Sequence, residues 1–400
     1  MNPVMARSRA TVPPVGLGMH REQPSPSDFT GPVVHVVGCV TDEVFSFLGP
    51  ATKTLAKAGH EQTVVMIDDL RRRHHLNSLE CFAALRLVDS SWNQISQWRA
   101  VLQVCKELVA VDPPQAIHLH GLLPCLVGAW TLRKSARPVN IFYSPHASRS
   151  IGSLSPLGAF AMLLLRFLMG ASRRAAIVNS ASESNLFKDW NSSELLESPA
   201  SESFLKVKSR EARGPLIISS GRLPSAQNIE LFASLAVLLG GKELDISFNW
   251  IGPVDEILRA RFQAAGVSVY DPKNDADHAL RLAGGWIYIA PRANRGFPFS
   301  LVQAMAVGLP CVAVDCPEHR GVMRDGDTGY LCSTECEMID RIAMLVDNPS
   351  LRQLRGRAAK AEAKRRFDEL QFGVKLLAAY SSPAGPASSG WPITAMESPK

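Results

Sequence analysis

"RGFPFSLVQAMAVGLP", residues 295–310, reads as a turn, one short helix and a loop into a buried strand. Gly296 permits a tight backbone approach, Pro298 suits a first helical turn, and Gly308 stops the helix before Pro310. A helix starting there presents free N–H groups and a partial positive charge to an anion. The same strand–turn–helix–turn–strand also arises for purely structural reasons, and the residues leave both readings open.

Outward from this stretch the pattern repeats. In the second half, "PLIISSGRL" (215–223) reads as a strand, with further strands near 246–251, 267–270, 286–290 and 311–315. A helical run covers roughly 336–378, broken at "DNPS" (347–350). The first half alternates in the same way. Strands are predicted at "VVHVVGCV" (33–40), "EQTVVMID" (61–68), "AIHLHG" (116–121), "VNIFYSPH" (139–146) and "AAIVNS" (175–180). Helices are predicted at "PATKTLAKAG" (50–59) and "SQWRAVLQVCKELVAVD" (96–112). Such alternation is the signature of α/β domains built on parallel sheets. The polar, Ser-rich stretch 191–214 suits an interdomain linker. Two α/β halves around a linker predict a cleft at the strand carboxyl ends.

The bulk properties agree with two domains. The chain has 400 residues, 46% hydrophobic and 20% charged, enough for a large core. The formal charge of +6 is mild and spread out apart from "RRRHH" at 71–75, which reads as a solvated surface, so nucleic-acid binding is not expected. The eight cysteines show no C-x-x-C pairs and are expected to be buried, reduced thiols. Cys311, Cys316, His319, Cys332 and Cys336 fit no standard zinc spacing. Nothing at the start reads as a secretory signal. The most apolar window, "LGAFAMLLLRFLMG" (157–170), is shorter than the ~20 residues a bilayer span needs.

Several phosphate chemistries are excluded by motif. The turn after the first strand, "GCVTDEVFSFLGP", lacks G-x-G-x-x-G, and neither a Walker A sequence nor G-x-S-x-G occurs. A pair of opposed carboxylates for glycoside hydrolysis cannot be located. What remains is "SSGRLPSAQN" (219–228), where Arg222 follows a strand and is able to clamp a pyrophosphate through two charge-assisted hydrogen bonds. An exposed loop arginine is the plainer reading of that residue.

The residues "GRL…QN…APRANRGFPFSLVQAMAVGLPCVAVDCPEHRGVMRDGDTGYLC" resemble the C-terminal domain of family 4 glycosyltransferases, retaining enzymes with the GT-B fold. "LAKAGHEQTVVMID", "DPPQAIHLHGLLP", "YSPHASRS" and "AAIVNSASESNLF" resemble that family's N-terminal landmarks in order, so the likeness runs over about 33–380. It implies an α/β fold of two Rossmann-like domains facing across a cleft. The implied plan is an N-terminal extension (1–30), an acceptor domain (31–195), a linker (196–214) and a nucleotide-sugar-binding domain (215–365). A helix (366–380) packing back towards the first domain completes it; residues 1–30 and 381–400, rich in Pro, Ser and Gly, read from their composition as a disordered extension and tail. The activity implied is retaining transfer of a sugar from a nucleotide-diphosphate donor, with no metal or other cofactor. Basic groups and a helix N-terminus then stabilise the leaving charge.

By the same resemblance, His146 contacts the donor sugar and Arg222 holds the pyrophosphate. Gly296, Phe297, Pro298 and Phe299 shape the sugar–phosphate pocket. A loop histidine capping the next helix is the plainer reading of His146. Three positions depart from the family pattern. Gln227 stands where a second, basic phosphate contact is usual, and Arg295 and Gln303 replace a pair of glutamates. Gln303 keeps polar atoms for a ribose. Arg295 either compensates for the missing lysine or suits a donor sugar bearing a carboxylate. A non-catalytic relative that binds nucleotide sugars or scaffolds partner enzymes is the rival reading. The acceptor expected is a saccharide or lipid-linked saccharide at the cytoplasmic face, in polysaccharide or glycolipid assembly. The 157–170 helix, flanked by Arg149, Arg166, Arg173 and Arg174, reads equally as a peripheral membrane contact or a core helix.

Overall fold

Short β-branched runs alternating with longer helices build two parallel sheets in this computed structural model. It describes residues 31–38, 42–67, 77–88, 94–110, 114–132, 139–144, 146, 163–165, 167–168, 174–180, 183–184, 187, 193–221, 230–240, 245–291 and 296–381. The first sheet comprises β1 (Val33–Val37), β2 (Gln62–Ile67), β3 (Ala84–Val88), β4 (Ala116–His120), β5 (Asn140–Ser144), β6 (Arg174–Val178) and β7 (Ser193–Leu195). Its order is β3-β2-β1-β4-β5-β6-β7, and every pairing is parallel. Helices α1 (Asp42–Lys57), α2 (Asn77–Glu80), α3 (Gln94–Ala110) and α4 (Leu122–Leu132) connect these strands, and α5 (Glu202–Lys206) follows β7.

The second sheet runs β10-β9-β8-β11-β12-β13, again all parallel. Its strands are β8 (Leu216–Ser220), β9 (Ser247–Ile251), β10 (Val267–Tyr270), β11 (Ile287–Ala290), β12 (Cys311–Val314) and β13 (Gly329–Cys332). The helices are α6 (Glu230–Gly240), α7 (Glu256–Ala264), α8 (Asp275–Ala283), α9 (Phe299–Val307), α10 (Pro317–Val322), α11 (Glu335–Asp347), α12 (Pro349–Arg366) and α13 (Glu369–Ser381). In each sheet the strand order reverses once, between β1 and β4 and between β8 and β11. Ligands of doubly wound sheets bind outside the carboxyl ends at such reversals.

The strands predicted from sequence are present, with boundaries moved by up to a few residues. The first helix starts at Asp42 rather than near residue 50. Three strands escaped the pattern. β3 is a half-exposed edge carrying Arg86, and β7 ("SEL") and β13 ("GYLC") are too short to show a period. The stretch read as a bare linker carries β7 and α5. Central strands β1 and β4 are buried throughout, and their apolar runs are interrupted only by His35, His118 and His120. Helix starts are set by caps. Asp255 accepts from Leu258 N at 2.8 Å, Asn274 from Asp277 N at 2.9 Å, and Asn348 from Leu351 N at 2.9 Å ahead of Pro349. Five of the seven described cysteines are buried; Cys81 and Cys336 are exposed.

The chain crosses between the halves twice, after β7 and between α12 and α13. Ala200 N donates to Phe367 O at 2.9 Å, binding one crossing to the other. Arg366 adds bonds to Glu197 Oε1 (2.5 Å) and Gly321 O (2.8 Å). Beyond this junction α13 lies on the first half, where Phe372, Leu376 and Tyr380 share a core with Phe47, Leu55 and Phe142. Each such side chain stabilises by about 1.5–3 kcal/mol through apolar burial.

Candidate active site

In the second half, the carboxyl ends of β8 and β9 are cleared of side chains. Gly221 (φ 136°) follows β8 and Gly252 (φ 141°) follows β9, and a Cβ on Gly252 would lie 2.4 Å from the Gly221 carbonyl oxygen. Only glycine allows that approach. Below, the Tyr288 hydroxyl meets Ser220 Oγ at 3.3 Å, and burial pushes its pKa up to about 12, so it stays a neutral hydrogen-bonding group.

After β11 the chain turns at Gly296 (φ 118°) and enters α9. Pro298 is the residue that caps this helix, one position ahead of the first helical turn where it was expected. Phe297 is buried and meets the Phe367 ring edge-on at 5.8 Å. Phe299 opens the helix, half-buried. Residues 301–307 of α9 are all buried, Gln303 among them at 5% exposure. Its amide makes no hydrogen bond with another described residue. The amide offers both a donor and an acceptor, so the position is suited to serve a ligand. Arg222, Gln227 and Arg295 lie outside the described residues, as do Cys39, "RRRHH" (71–75), the two ends of the chain and most of 157–170.

Across the cleft the first half presents a buried histidine cluster that sequence reading reduced to its last member. Parallel register sets His35 of β1 opposite His118 of β4, with Val37 opposite His120. Alternation puts all three rings on one face. His146 follows β5 at its carboxyl end and holds a left-handed backbone (φ 48°), a strained conformation that clusters at functional sites. Its ring lies parallel to His120 at 5.2 Å and edge-on to Phe47 at 5.5 Å. Nδ1 of His35 meets Nε2 of His120 at 3.0 Å, and Nδ1 of His120 meets Nε2 of His146 at 2.9 Å. His118 bonds the Tyr380 hydroxyl (2.6 Å) and Ser144 Oγ (2.9 Å). Burial depresses all four pKa values, His35 to about 4 and His146 to about 3, with mutual repulsion adding to the effect at His118 and His120. All are neutral at pH 7. The missed signal was "HLH" (118–120), two histidines at strand spacing beside a third in the neighbouring strand.

Among the described residues, His35, His118 and His120 are the group whose ligand atoms come close enough to share an ion. Their hydrogen bonding fits a metal poorly. Both nitrogens of His118 are bonded outside the group, to the Tyr380 hydroxyl and Ser144 Oγ, which leaves it no free lone pair for an ion without breaking one of them. In the group weighed from sequence, His319 Nδ1 is bonded to Val314 O at 2.6 Å and Cys336 is exposed.

Two Rossmann-like halves with their switch points facing one cleft define the GT-B class of glycosyltransferase folds, and solved structures of that architecture align with nearly the whole chain. Sucrose-phosphate synthase from Thermosynechococcus elongatus aligns with a TM-score of 0.69 at 14% identity, over 87% of this chain and 98% of its own. HepE of Anabaena, solved with UDP, aligns with a TM-score of 0.68 at 14% identity, over 88% and 99%. Within that class the chain is related to the group 1 glycosyl transferases: the family profile "Glycosyl transferases group 1" matches residues 214–348. A phosphatidyl-myo-inositol mannosyltransferase of Mycobacterium leprae is 33% identical over 147 residues, 35% of this chain and 39% of the relative. The match therefore spans well under half of that relative's length.

Proposed function

We propose that the protein is a retaining glycosyltransferase that moves a sugar from a nucleotide-diphosphate donor to a saccharide or lipid-linked acceptor. The observation that carries this is where the family match falls. Residues 214–348 include the cleared turns at Gly221 and Gly252, the Gly296 turn and the start of α9. Residues 215–365 bind the donor in this reading, and 31–195 receive the acceptor. Arg222, next to Gly221, and the N-terminus of α9 stabilise the departing diphosphate without a metal. Gln303 holds the nucleotide's ribose, and His146 meets the donor sugar from the opposite half. Arg295 suits a donor whose sugar carries a carboxylate. The setting is polysaccharide or glycolipid synthesis at the cytoplasmic face of a membrane. Exposure of Leu163 and Phe167, at 66% and 73%, beside buried Leu165 and Leu168 supports peripheral contact there. No helix among the described residues is long and apolar enough to cross a membrane.

The test is a panel of nucleotide sugars read by binding and by turnover, with product anomeric configuration determined by NMR. One donor class is expected to be turned over with retention, and Arg222→Ala to abolish transfer. Liposome flotation without protein in the floated fraction removes the membrane contact. Arg295→Glu that leaves the preference between uronate and neutral donors unchanged removes the carboxylate assignment. A second reading, an impaired relative that binds nucleotide sugars, is favoured by the neutral Gln303 on α9. It predicts binding without turnover across the panel, and turnover restored by Gln303→Glu with Gln227→Lys.

A further inference from the structure

The histidine cluster contains more polar order than one sugar contact requires. Three rings, His35, His120 and His146, are joined in series by two N···N contacts of 3.0 and 2.9 Å. Each ring is neutral at pH 7 and so carries one N–H. Two of the three protons are used by the two contacts, and the third must sit at one end of the series. Either His35 Nε2 carries it or His146 Nδ1 does. Both atoms are buried, and neither has a partner within hydrogen-bond distance. The protons therefore run in one of two directions, and what lies beyond His35 decides which.

Gln62 of β2 lies beyond His35. Its amide nitrogen donates to Thr52 O at 2.9 Å and Phe82 O at 3.3 Å. Carbonyls only accept, so the amide cannot be flipped, and Oε1 is left without a partner of its own. His35 has used Nδ1 on His120, which leaves Nε2 for the Gln62 oxygen. Gln62 Oε1 and His35 Nε2 are both buried and otherwise unpartnered, one a fixed acceptor and the other able to donate, and Gln62 is the side chain that favours the charged form of His35, as a nearby acceptor does. A proton on His35 Nε2 makes its Nδ1 an acceptor from His120 Nε2–H. That in turn makes His120 Nδ1 an acceptor from His146 Nε2–H.

We infer that Gln62, His35 and His120 are positioning residues that hold His146 as its Nε2–H tautomer, leaving the Nδ1 lone pair as an acceptor for a hydroxyl of the bound ligand. The inference rests on the glycosyltransferase reading only for the identity of that ligand. It adds a specificity rule: the group meeting His146 must be a hydrogen-bond donor, and a deoxy or O-methyl sugar at that position is rejected. No proton is transferred in this role, and the series acts through orientation.

The test is a long-range 1H–15N spectrum of the full-length protein, labelled with 15N-histidine, at pH 7 and without substrate. His35, His120 and His146 are all expected to be protonated on Nε2. Gln62→Met removes the terminal acceptor and is expected to shift His146 partly or wholly to Nδ1–H while the protein still binds nucleoside diphosphate. His120→Phe is expected to lower kcat for the preferred donor sugar about tenfold, the value of one neutral hydrogen bond, with nucleoside diphosphate affinity unchanged. A wild-type His146 carrying its proton on Nδ1 overturns the inference, as does zinc retained one per chain on these rings. Because the wild-type spectrum needs neither a variant nor turnover, it decides between the two tautomers even if Gln62→Met fails to fold. Nε2–H tautomers in a protein that turns over no donor leave this inference standing and sink the transferase reading instead.

Discussion

Gln303 sits on a helix whose other buried residues are apolar, so its amide has no role in the core. Gln303→Leu is expected to leave the melting temperature of the free protein little changed, since no hydrogen bond to a described residue is lost. Its affinity for the nucleotide of the donor is expected to fall about 5–10-fold, from the loss of roughly 1 kcal/mol of hydrogen bonding; calorimetry reads both. Gly252 makes the opposite case. A methyl group there meets the Gly221 carbonyl, and the backbone at φ 141° disfavours any side chain. Gly252→Ala is expected to cost about 2–4 kcal/mol in chemical denaturation. Single residues were unevenly legible in the sequence. Gly296 and Gly308 announced their backbone roles, since Gly308 is the left-handed cap that ends α9 (φ 100°). Gln62 announced nothing, because its value depends on two carbonyls brought to it from α1 and the turn after α2.

At the level of elements, the first sheet carries its histidines on the face covered by α1 and α13, and this gives the fold an acid-labile layer. In the unfolded chain each histidine takes up a proton near pH 6.5. In the folded chain His35 does so only near pH 4 and His146 near pH 3. Between these values the unfolded state binds more protons, so stability is full above about pH 6.5 and falls as the pH drops towards 4. The melting temperature is expected to decline over that window, and His35→Asn to flatten the decline. Helix α12 is governed more locally: Asn348→Ala removes its cap and is expected to cost about 1 kcal/mol. Most of the elements could be read from period and apolar runs, because buried parallel strands write themselves as continuous β-branched stretches. Strand β3 could not, since it is a short, largely exposed edge interrupted by Arg86, and the polar residues around α5 hid a helix whose Phe204 is buried in the second half's core. The histidine layer was hard to read for a different reason: beyond the "HLH" of β4 its members come from β1 and from the turn after β5, and only sheet register brings them together.

For the molecule as a whole, the last helix belongs to the first half. Phe372, Leu376 and Tyr380 fill a core with Phe47 and Phe142, and the Tyr380 hydroxyl holds His118. Truncation after Asp368, which keeps Phe367 in the second half's core, is therefore expected to unfold or aggregate residues 31–195 while the second half keeps its fold, as limited proteolysis would show. At the junction, Arg366→Ala takes the hydrogen-bonded cation from the half-buried Glu197 and leaves it the more distant Lys375, and is expected to cost about 1–2 kcal/mol, read by denaturation. The order of strands predicted this two-sheet plan well, while the junction's ion pairs join residues about 170 positions apart and have no local signature. The paired crossings at Ala200 and Phe367 have a mechanical consequence. Two tethers fastened side by side act like the knuckles of a door hinge: they let the halves swing about one edge and resist sliding or shear. A probe pair set across the mouth of the cleft would then report large excursions, and a pair set beside the tethers almost none.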